Sequence, residues 1–211
     1  MNSLRTFGRS LGIVLLGALA TACISLFPKE NPAQLYRFGP QASAPPTAPA
    51  PGNQRFSVIN PIIAFDRAAA SARILTVTND QAAYIKGSRW VAPASTLFES
   101  ALENAFYADP GPARLMAAGE VGHGDYALRL DVREFDVRYD HGAGAAPDVV
   151  VDLHATLTRL DGRAFAGERT FQARVPAQED RVGAIAPAFD QAVGKVLGEL
   201  VAWVDAKGSS A

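Results

Sequence analysis

The chain has 211 residues, with 20 lysines and arginines against 21 aspartates and glutamates, and a formal net charge of −1. This balance excludes a polybasic nucleic-acid-binding protein and a polybasic surface for lipid headgroups. A single cysteine excludes an internal disulfide, so stability has to come from a packed core, which a chain of this length can form.

The N-terminal residues have the layout of a secretory signal. Arg5 and Arg9 precede an apolar run from Leu11 to Ala20, and small residues follow it. The run has about ten residues, against roughly 20 for a helix that crosses a bilayer. We therefore predict that residues 1–22 are a signal peptide that is removed.

Cys23 is the predicted lipid attachment site. The segment 20–23 (Ala-Thr-Ala-Cys) resembles the lipobox of bacterial lipoproteins, although Leu19 stands one position earlier than the usual leucine. Cleavage between Ala22 and Cys23 would expose a thiol that takes a diacylglyceryl group, with palmitate as the acyl chain. The alternative is an ordinary cleaved signal with a cysteine nearby, which would leave an unpaired thiol in a secreted protein.

Residues 23–55 are predicted to be a tether. A short strand is expected at 35–38, and residues 40–52 are rich in proline and alanine without an apolar period. Such a segment is typical of an extended, solvated spacer, and a Pro-rich recognition motif is the alternative. The folded domain is expected to span 56–206, followed by a disordered tail at 207–211.

The first half of this domain contains three predicted strands and one helix. The strands are Phe56–Ile59, which Asn60-Pro61 should end, then Arg73–Thr78 and Ala83–Ile85. The helix is predicted over 93–107 from an apolar stripe at helical period, and 109–112 (Asp-Pro-Gly-Pro) should end it. Thr96 and Glu99 have capping-box spacing.

An antiparallel meander is predicted next. Apolar residues take even positions from Tyr126 to Val132 and odd positions from Phe135 to Tyr139, which predicts a β-bulge near Arg133-Glu134. A flexible loop at 142–147 and a strand at 149–157 follow. A hairpin at Asp161-Gly162 then leads into a strand whose expected inward residues are Phe165, Phe171, Ala173 and Val175.

The last helix is predicted over 181–205, with one apolar stripe. Gly194 and Gly198 are expected to allow a close approach to the sheet. Two amphipathic helices on one face of a mostly antiparallel sheet predict an α+β fold, a two-layer sandwich.

We find no enzyme in this sequence. The G-x-S-x-G match at 8–12 lies inside the signal and follows no strand. His123, His141 and His154 lack metal-ligand spacing and are expected at the surface, and Asp136 with Asp140 are expected at solvated strand ends. Residues 142–144 do not form a phosphate-binding turn. No catalytic residue, metal or cofactor is predicted.

Arg89 and Trp90 are the candidate partner-binding residues. Tryptophan and arginine are enriched at interaction hot spots. A tryptophan between a strand and a helix start is also typical of a core position under the first helix, and for Trp90 this interpretation is favoured. The sequence leaves both interpretations open.

From Cys23 to Trp203 the chain resembles the ABC-type transport auxiliary lipoproteins, the family of the outer-membrane lipoprotein of the paraquat-inducible Pqi system. The resemblance depends on the following features: Tyr36-Arg37-Phe38, Ile74-Leu75-Thr76-Val77, Tyr84, Ser88-Arg89-Trp90-Val91-Ala92-Pro93, Leu97, Leu102 and Trp203-Val204. The insertion at 40–52 is longer than the family pattern.

The resemblance implies a non-catalytic, membrane-anchored subunit, single or homo-oligomeric, that works with an MCE-domain protein and its ABC permease and ATPase on other chains. Such systems move phospholipids or other apolar molecules between the inner and outer membranes. Ile24 after the lipid cysteine is not aspartate, which favours the outer membrane, facing the periplasm, over the inner membrane. The alternative function is a stand-alone periplasmic lipoprotein that binds a lipid or another apolar ligand.

Overall fold

Eight strands and two α-helices form in the computed structural model, which describes residues 32–39, 55–117, 119–142 and 144–209. In chain order they are β1 (Gln34–Tyr36), β2 (Phe56–Phe65), β3 (Arg73–Thr78), β4 (Gln81–Trp90), α1 (Ala94–Ala108), β5 (Ala113–Leu115), β6 (Tyr126–Arg138), β7 (Asp148–Arg159), β8 (Phe165–Pro176) and α2 (Val182–Ser209). The predicted α+β fold class is confirmed.

The sheet is built around β6. One edge of β6 pairs antiparallel with β7 along its length, and β7 pairs antiparallel with β8. The other edge of β6 is shared by β2 and β3, which both run parallel to it. Beyond β2 lies β5, and beyond β3 lie β4 and then β1. The sheet is therefore mixed, and its two longest ladders are antiparallel.

The predicted bulge in β6 is confirmed. The register shifts between the pairs Val132–Leu153 and Glu134–Asp152, so Arg133 is an extra residue without a partner on β7. The extra residue reverses the alternation, and Phe135 points to the same face as Val132. Both side chains are buried under the helices.

The prediction that Asn60-Pro61 ends β2 is wrong. The strand continues to Phe65, with a register shift against β6 between Ile59 and Ile62. Proline is compatible with a strand at a bulge or on an unpaired edge, because it has no N–H to donate. Pro61 meets both conditions. It lies within the register shift, and its other edge is unpaired, since β5 pairs with β2 only from Phe56 to Val58.

The packed unit begins earlier than the predicted boundary at residue 56. It starts at Ala33, because β1 pairs with β4 and the Phe38 side chain lies in the core. The strand predicted as Ala83–Ile85 is also longer, and runs through Gly87 to Trp90. The place of β1 in the sheet depends on pairing between residues 54 positions apart, such as Gln34 and Ser88, which a local pattern does not show.

Helix α1 begins without the predicted capping box. Its N-cap is Pro93, so Thr96 and Glu99 both lie inside the helix. The amide N–H groups of Ala94 and Ser95 donate instead to the carbonyls of Ser71 and Ala70, at 3.1 and 3.3 Å. Backbone acceptors from the preceding loop thus satisfy donors that a side-chain cap would otherwise serve.

Helix α2 covers β7 and β8, and the whole predicted apolar stripe is buried. Gly194 and Gly198 are exposed, and a methyl group at either position would meet no atom within 4 Å. The expectation that they allow a close approach to the sheet is therefore wrong. The stripe was correctly identified from its period, whereas the glycines lie on the solvent side of the helix.

The predicted hairpin after β7 is confirmed, but the prediction that Phe165 on β8 points inward is wrong. Asp161–Arg163 form the turn, with Gly162 at a φ of 66°. Phe165 is 66% exposed, because the register shifts between the pairs Leu157–Gly167 and Thr158–Phe165. This bulge turns Phe165 to the face opposite Leu157, while Phe171 and Ala173 are buried as predicted.

Candidate functional site

The signal peptide, the cleavage position Ala22-Cys23 and the proposed lipid cysteine lie outside the described residues. The spacer at 40–52 and residues 210–211 lie outside them as well. The predicted disordered tail at 207–211 is wrong for residues 207–209, which belong to α2, where the Tyr126 hydroxyl donates to the Gly208 carbonyl. The described residues do not test the signal peptide, the lipid attachment at Cys23 or the spacer, which stay predictions.

Of the two candidate partner-binding residues, Arg89 is exposed and Trp90 is only 2% exposed. The Trp90 ring packs edge-on against Phe38 and Phe189, with centroids 4.9 and 5.0 Å away. Trp90 is thus part of an aromatic core cluster and presents no surface to a partner. The binding interpretation of Trp90 is corrected, and Arg89 alone is left as a surface candidate.

The three histidines do not meet. His123 is exposed, His141 Nε2 lies 3.1 Å from Asp148 Oδ2, and His154 Nδ1 lies 3.1 Å from the Thr170 hydroxyl. Within the described part of the chain, no group of three or more histidine, cysteine, aspartate or glutamate side chains could hold a metal ion.

The face of the sheet opposite the helices carries Asp136 and Asp140, the two acids predicted at solvated strand ends, and each pairs with an arginine. Asp136 is buried, and Arg138 Nε donates to its Oδ1 at 2.6 Å. Burial raises the pKa of Asp136, and the Arg138 hydrogen bond offsets this only in part. Asp140 is exposed and pairs with Arg174. The expectation is wrong for Asp136, because its carboxyl group is buried within the strand and held by Arg138.

Asp148 is the second buried carboxylate on this face. Arg174 Nη1 donates to its Oδ2 at 2.8 Å, and His141 shares the same oxygen. Burial acts to raise the pKa of Asp148, but the hydrogen bonds from Arg174 and His141 outweigh it, and the pKa is lowered. Asp136 and Asp148 are each paired with an arginine, and the pairing offsets the cost of burying their charge.

A cavity of about 400 Å³ lies between α1 and the edge strand β5, and we call it the α1–β5 pocket. It is lined by Arg55, Glu103, Phe106, Tyr107, Asp109, Gly111, Ala113, Arg114, Leu115, Met116, Ala117 and Glu120. Pockets that hold small ligands have volumes of roughly 300–1,000 Å³, with an apolar lining and a few placed polar groups. The size and lining make this pocket the candidate site.

One wall of the pocket is held by an ion pair. Arg114 Nη1 and Nη2 donate to the two oxygens of Glu120 at 3.0 and 2.8 Å, and the Ala117 amide also donates to Glu120. The Arg114 hydrogen bond, followed by the Ala117 amide, lowers the pKa of Glu120 to about 2. The pair thus stays ionised and fixes the segment after β5.

The part of the wall formed by Asp109 and Gly111 depends on two carboxyl groups from distant parts of the chain. Asp109 Oδ2 accepts from the Gly111 amide at 2.6 Å, and Asp205 Oδ1 on α2 accepts from the Ala113 amide at 2.9 Å. A Cβ atom on Gly111 would overlap both Asp109 Oδ2 and Asp205 Oδ2. Glycine is therefore required where the loop crosses the two carboxyl groups.

The sequence pattern does not predict this arrangement. It predicts only that 109–112 end the first helix and that the last helix ends at Asp205. Asp109 and Asp205 are 96 positions apart, and no spacing rule joins them. The stop signal itself was correct, since α1 ends at Ala108.

Among the described residues that line the pocket there is no serine, threonine, cysteine, histidine or lysine. The pocket can enclose an apolar group and can contact charges at its rim, through Arg55 and Glu103 for example. No helix in the described part of the chain is long and apolar enough to cross a membrane. The fold is a two-layer α+β domain, and the α1–β5 pocket is its candidate binding site.

The sequence model of the ABC-type transport auxiliary lipoprotein component matches residues 36–201, which is well over half of the chain. The chain belongs to this family. The predicted resemblance is confirmed, and the match includes β1 and most of α2.

Solved structures share the fold. Protein XCC0632 from Xanthomonas campestris is 27% identical, with a TM-score of 0.67, and the match covers 84% of this chain and 98% of that chain. The hypothetical protein CT253 from Chlamydia trachomatis is 10% identical, with a TM-score of 0.50, and the match covers 74% of this chain and 99% of that one. The second likeness shows the fold alone. No curated protein matches the chain.

Proposed function

We propose that this chain is a non-catalytic, membrane-anchored auxiliary subunit of an MCE-type ABC transport system that moves phospholipids or other apolar molecules between the inner and outer membranes. The observation that carries this proposal is the family match over residues 36–201. The subunit would contact an MCE-domain protein and, through it, the permease and the ATPase.

The anchor in this proposal is Cys23, acylated after cleavage at Ala22, in the outer membrane. One acyl chain binds a membrane only marginally, whereas two or more give stable attachment. Attachment confines the domain to a surface and raises its effective concentration near a membrane-bound partner. A weak contact, for example through the exposed Arg89, is then sufficient for assembly.

The test is co-purification from membranes. The tagged full chain is expected to recover an MCE-domain protein, identified by mass spectrometry. The matched control is Cys23→Ala, which should fold, because the described core begins at Phe38, but should remain unprocessed or soluble and lose most of the recovered partner. The transport role is contradicted when no MCE-domain protein is recovered from a strain that encodes the system. Fractionation with the inner membrane would contradict the localisation alone.

Assembly from several copies is part of this proposal, and two sheet edges support it. Among the described strands, β1 and β5 each have one neighbour, and Leu35 on β1 is 62% exposed. Leu35 and the exposed Arg37 point to the same side of an extended chain. On a second copy, the α1–β5 pocket would receive the Leu35 side chain, and Glu103 at its rim would pair with Arg37. Light scattering in detergent should give a multiple of the chain mass, and one copy at all concentrations would contradict assembly.

A stand-alone lipid-binding lipoprotein is the second candidate, and the apolar floor of the α1–β5 pocket favours it. Phe106, Leu115 and Met116 could contact one acyl chain. Native mass spectrometry of the isolated protein distinguishes the two functions. Lipid that stays bound to a single copy, with no MCE partner recovered, would favour the stand-alone function.

A further inference from the structure

The carboxyl groups of Asp109 and Asp205 lie side by side behind the loop that joins α1 to β5, since a Cβ atom on Gly111 would overlap Oδ2 of both. Each also accepts a hydrogen bond from this loop, Asp109 from the Gly111 amide and Asp205 from the Ala113 amide. The end of α1, the start of β5 and the last turns of α2 are therefore connected through two side chains. The loop supplies part of the pocket wall.

Two carboxyl groups in contact do not both ionise at low cost, because like charges repel and one shared proton gives a hydrogen bond instead. Burial is the largest cause that raises the pKa of Asp205 to about 6. The Ala113 amide opposes this increase, and the contact with Asp109 adds to it. The proton is thus held in a pH range where an ordinary aspartate is ionised.

Other charged side chains near this wall have different roles. Arg114 on β5 is engaged by Glu120, and Arg55 and Glu103 line the pocket. Lys207, two residues after Asp205 on α2 and so on the other side of the helix, extends toward Gly167 on β8. The electrostatic effect on Asp205 comes from Asp109, so protonation of this pair depends on the two carboxyl groups themselves.

We propose that Asp109 and Asp205 form a proton-dependent latch that holds the 110–112 loop, and with it one wall of the α1–β5 pocket, against α2. With one shared proton, both carboxyl groups keep their bonds to the loop amides. When both are ionised, their repulsion separates Asp109 at the end of α1 from Asp205 on α2, and this wall loosens. The latch does not rest on the proposed transport function.

The sign of the stability effect follows from proton linkage. The folded protein binds the Asp205 proton more tightly than the unfolded chain, in which an aspartate has a pKa of about 3.9. This group therefore contributes stability that is present at about pH 4 and is lost as the pH rises toward 6. Above that range the contribution stays lost.

The experiment is a pH titration of the purified full chain by two-dimensional NMR, from pH 4.5 to 8. The Gly111 and Ala113 amide signals should shift together with a midpoint near pH 6. In Asp205→Asn the neutral amide replaces the protonated acid, and this transition should disappear. Asp161→Asn, in the exposed turn before β8, is the matched control and should leave the midpoint unchanged.

Asp109→Asn supplies the second measurement. It removes the neighbouring charge and should move the Asp205 midpoint to lower pH. The latch is overturned when Gly111 shows no transition between pH 5 and 7, or when the transition persists in Asp205→Asn. A midpoint that Asp109→Asn leaves in place would also overturn it, because burial alone would then hold the proton.

Discussion

The sheet half formed by β6, β7 and β8 under α2 differs from the end formed by α1, β5 and the pocket. In the first region, alternate residues along continuous strands are buried, as Val149, Val151 and Leu153 are on β7. In the second, two carboxyl groups and a glycine loop from separate parts of the chain define the wall. Local periodicity therefore explains the stability of the first region, and long-range polar contacts explain the shape of the second.

The largest expected effect is in the core beneath α2. Phe189 is 1% exposed and its ring lies 4.8 Å from that of Phe135, centroid to centroid. Phe189→Asp would remove a core ring and bury a carboxylate without a partner, and should cost more than about 5 kcal/mol, which reaches the range of a typical domain's free energy of unfolding. Circular dichroism should show loss of the cooperative transition. Phe165→Asp, at an exposed position, is the control, and an equal loss there would contradict the argument.

Trp90 and Arg89 provide the second comparison, because adjacent residues of one strand face opposite environments. Trp90→Ala should destabilise the protein by about 3–5 kcal/mol through the cavity that it leaves among Phe38 and Phe189. Arg89→Ala should change the free energy of unfolding by less than about 0.5 kcal/mol. Urea denaturation measures both, and similar values would mean that Trp90 is not a core residue.

Two glycines provide the third and smallest comparison. Gly111→Ala places a methyl group on the two carboxyl groups and should cost about 1–3 kcal/mol. Gly194→Ala, on the exposed side of α2 where the space is open, should stabilise the protein by about 0.5–1 kcal/mol, because alanine has the higher helix propensity. Thermal unfolding should shift in opposite directions, and a neutral Gly111→Ala would argue against the tight wall.

Much of the fold was predictable, because helices and strands with one buried face repeat their apolar residues at fixed periods. The change of alternation between Val132 and Phe135 located the β6 bulge, and the stripe of α2 was correct in full. The errors occur where pairing with a neighbouring strand, and not the local sequence, determines the structure. Pro61 stays within a strand because its bulge and open edge need no donor, and Phe165 turns outward at a bulge that its own sequence does not mark.

The candidate site was not predictable, apart from the surface position of Arg89. The sequence by itself determined the apolar periods, the chain reversals and the family resemblance, since each depends on residues close together in the chain. The tertiary structure alone decided that Trp90 is covered, that Asp136 is buried, and that Asp109 and Asp205 meet behind Gly111. Such contacts join residues that only the packing of helices against the sheet brings together, and that packing sets their burial and their charge.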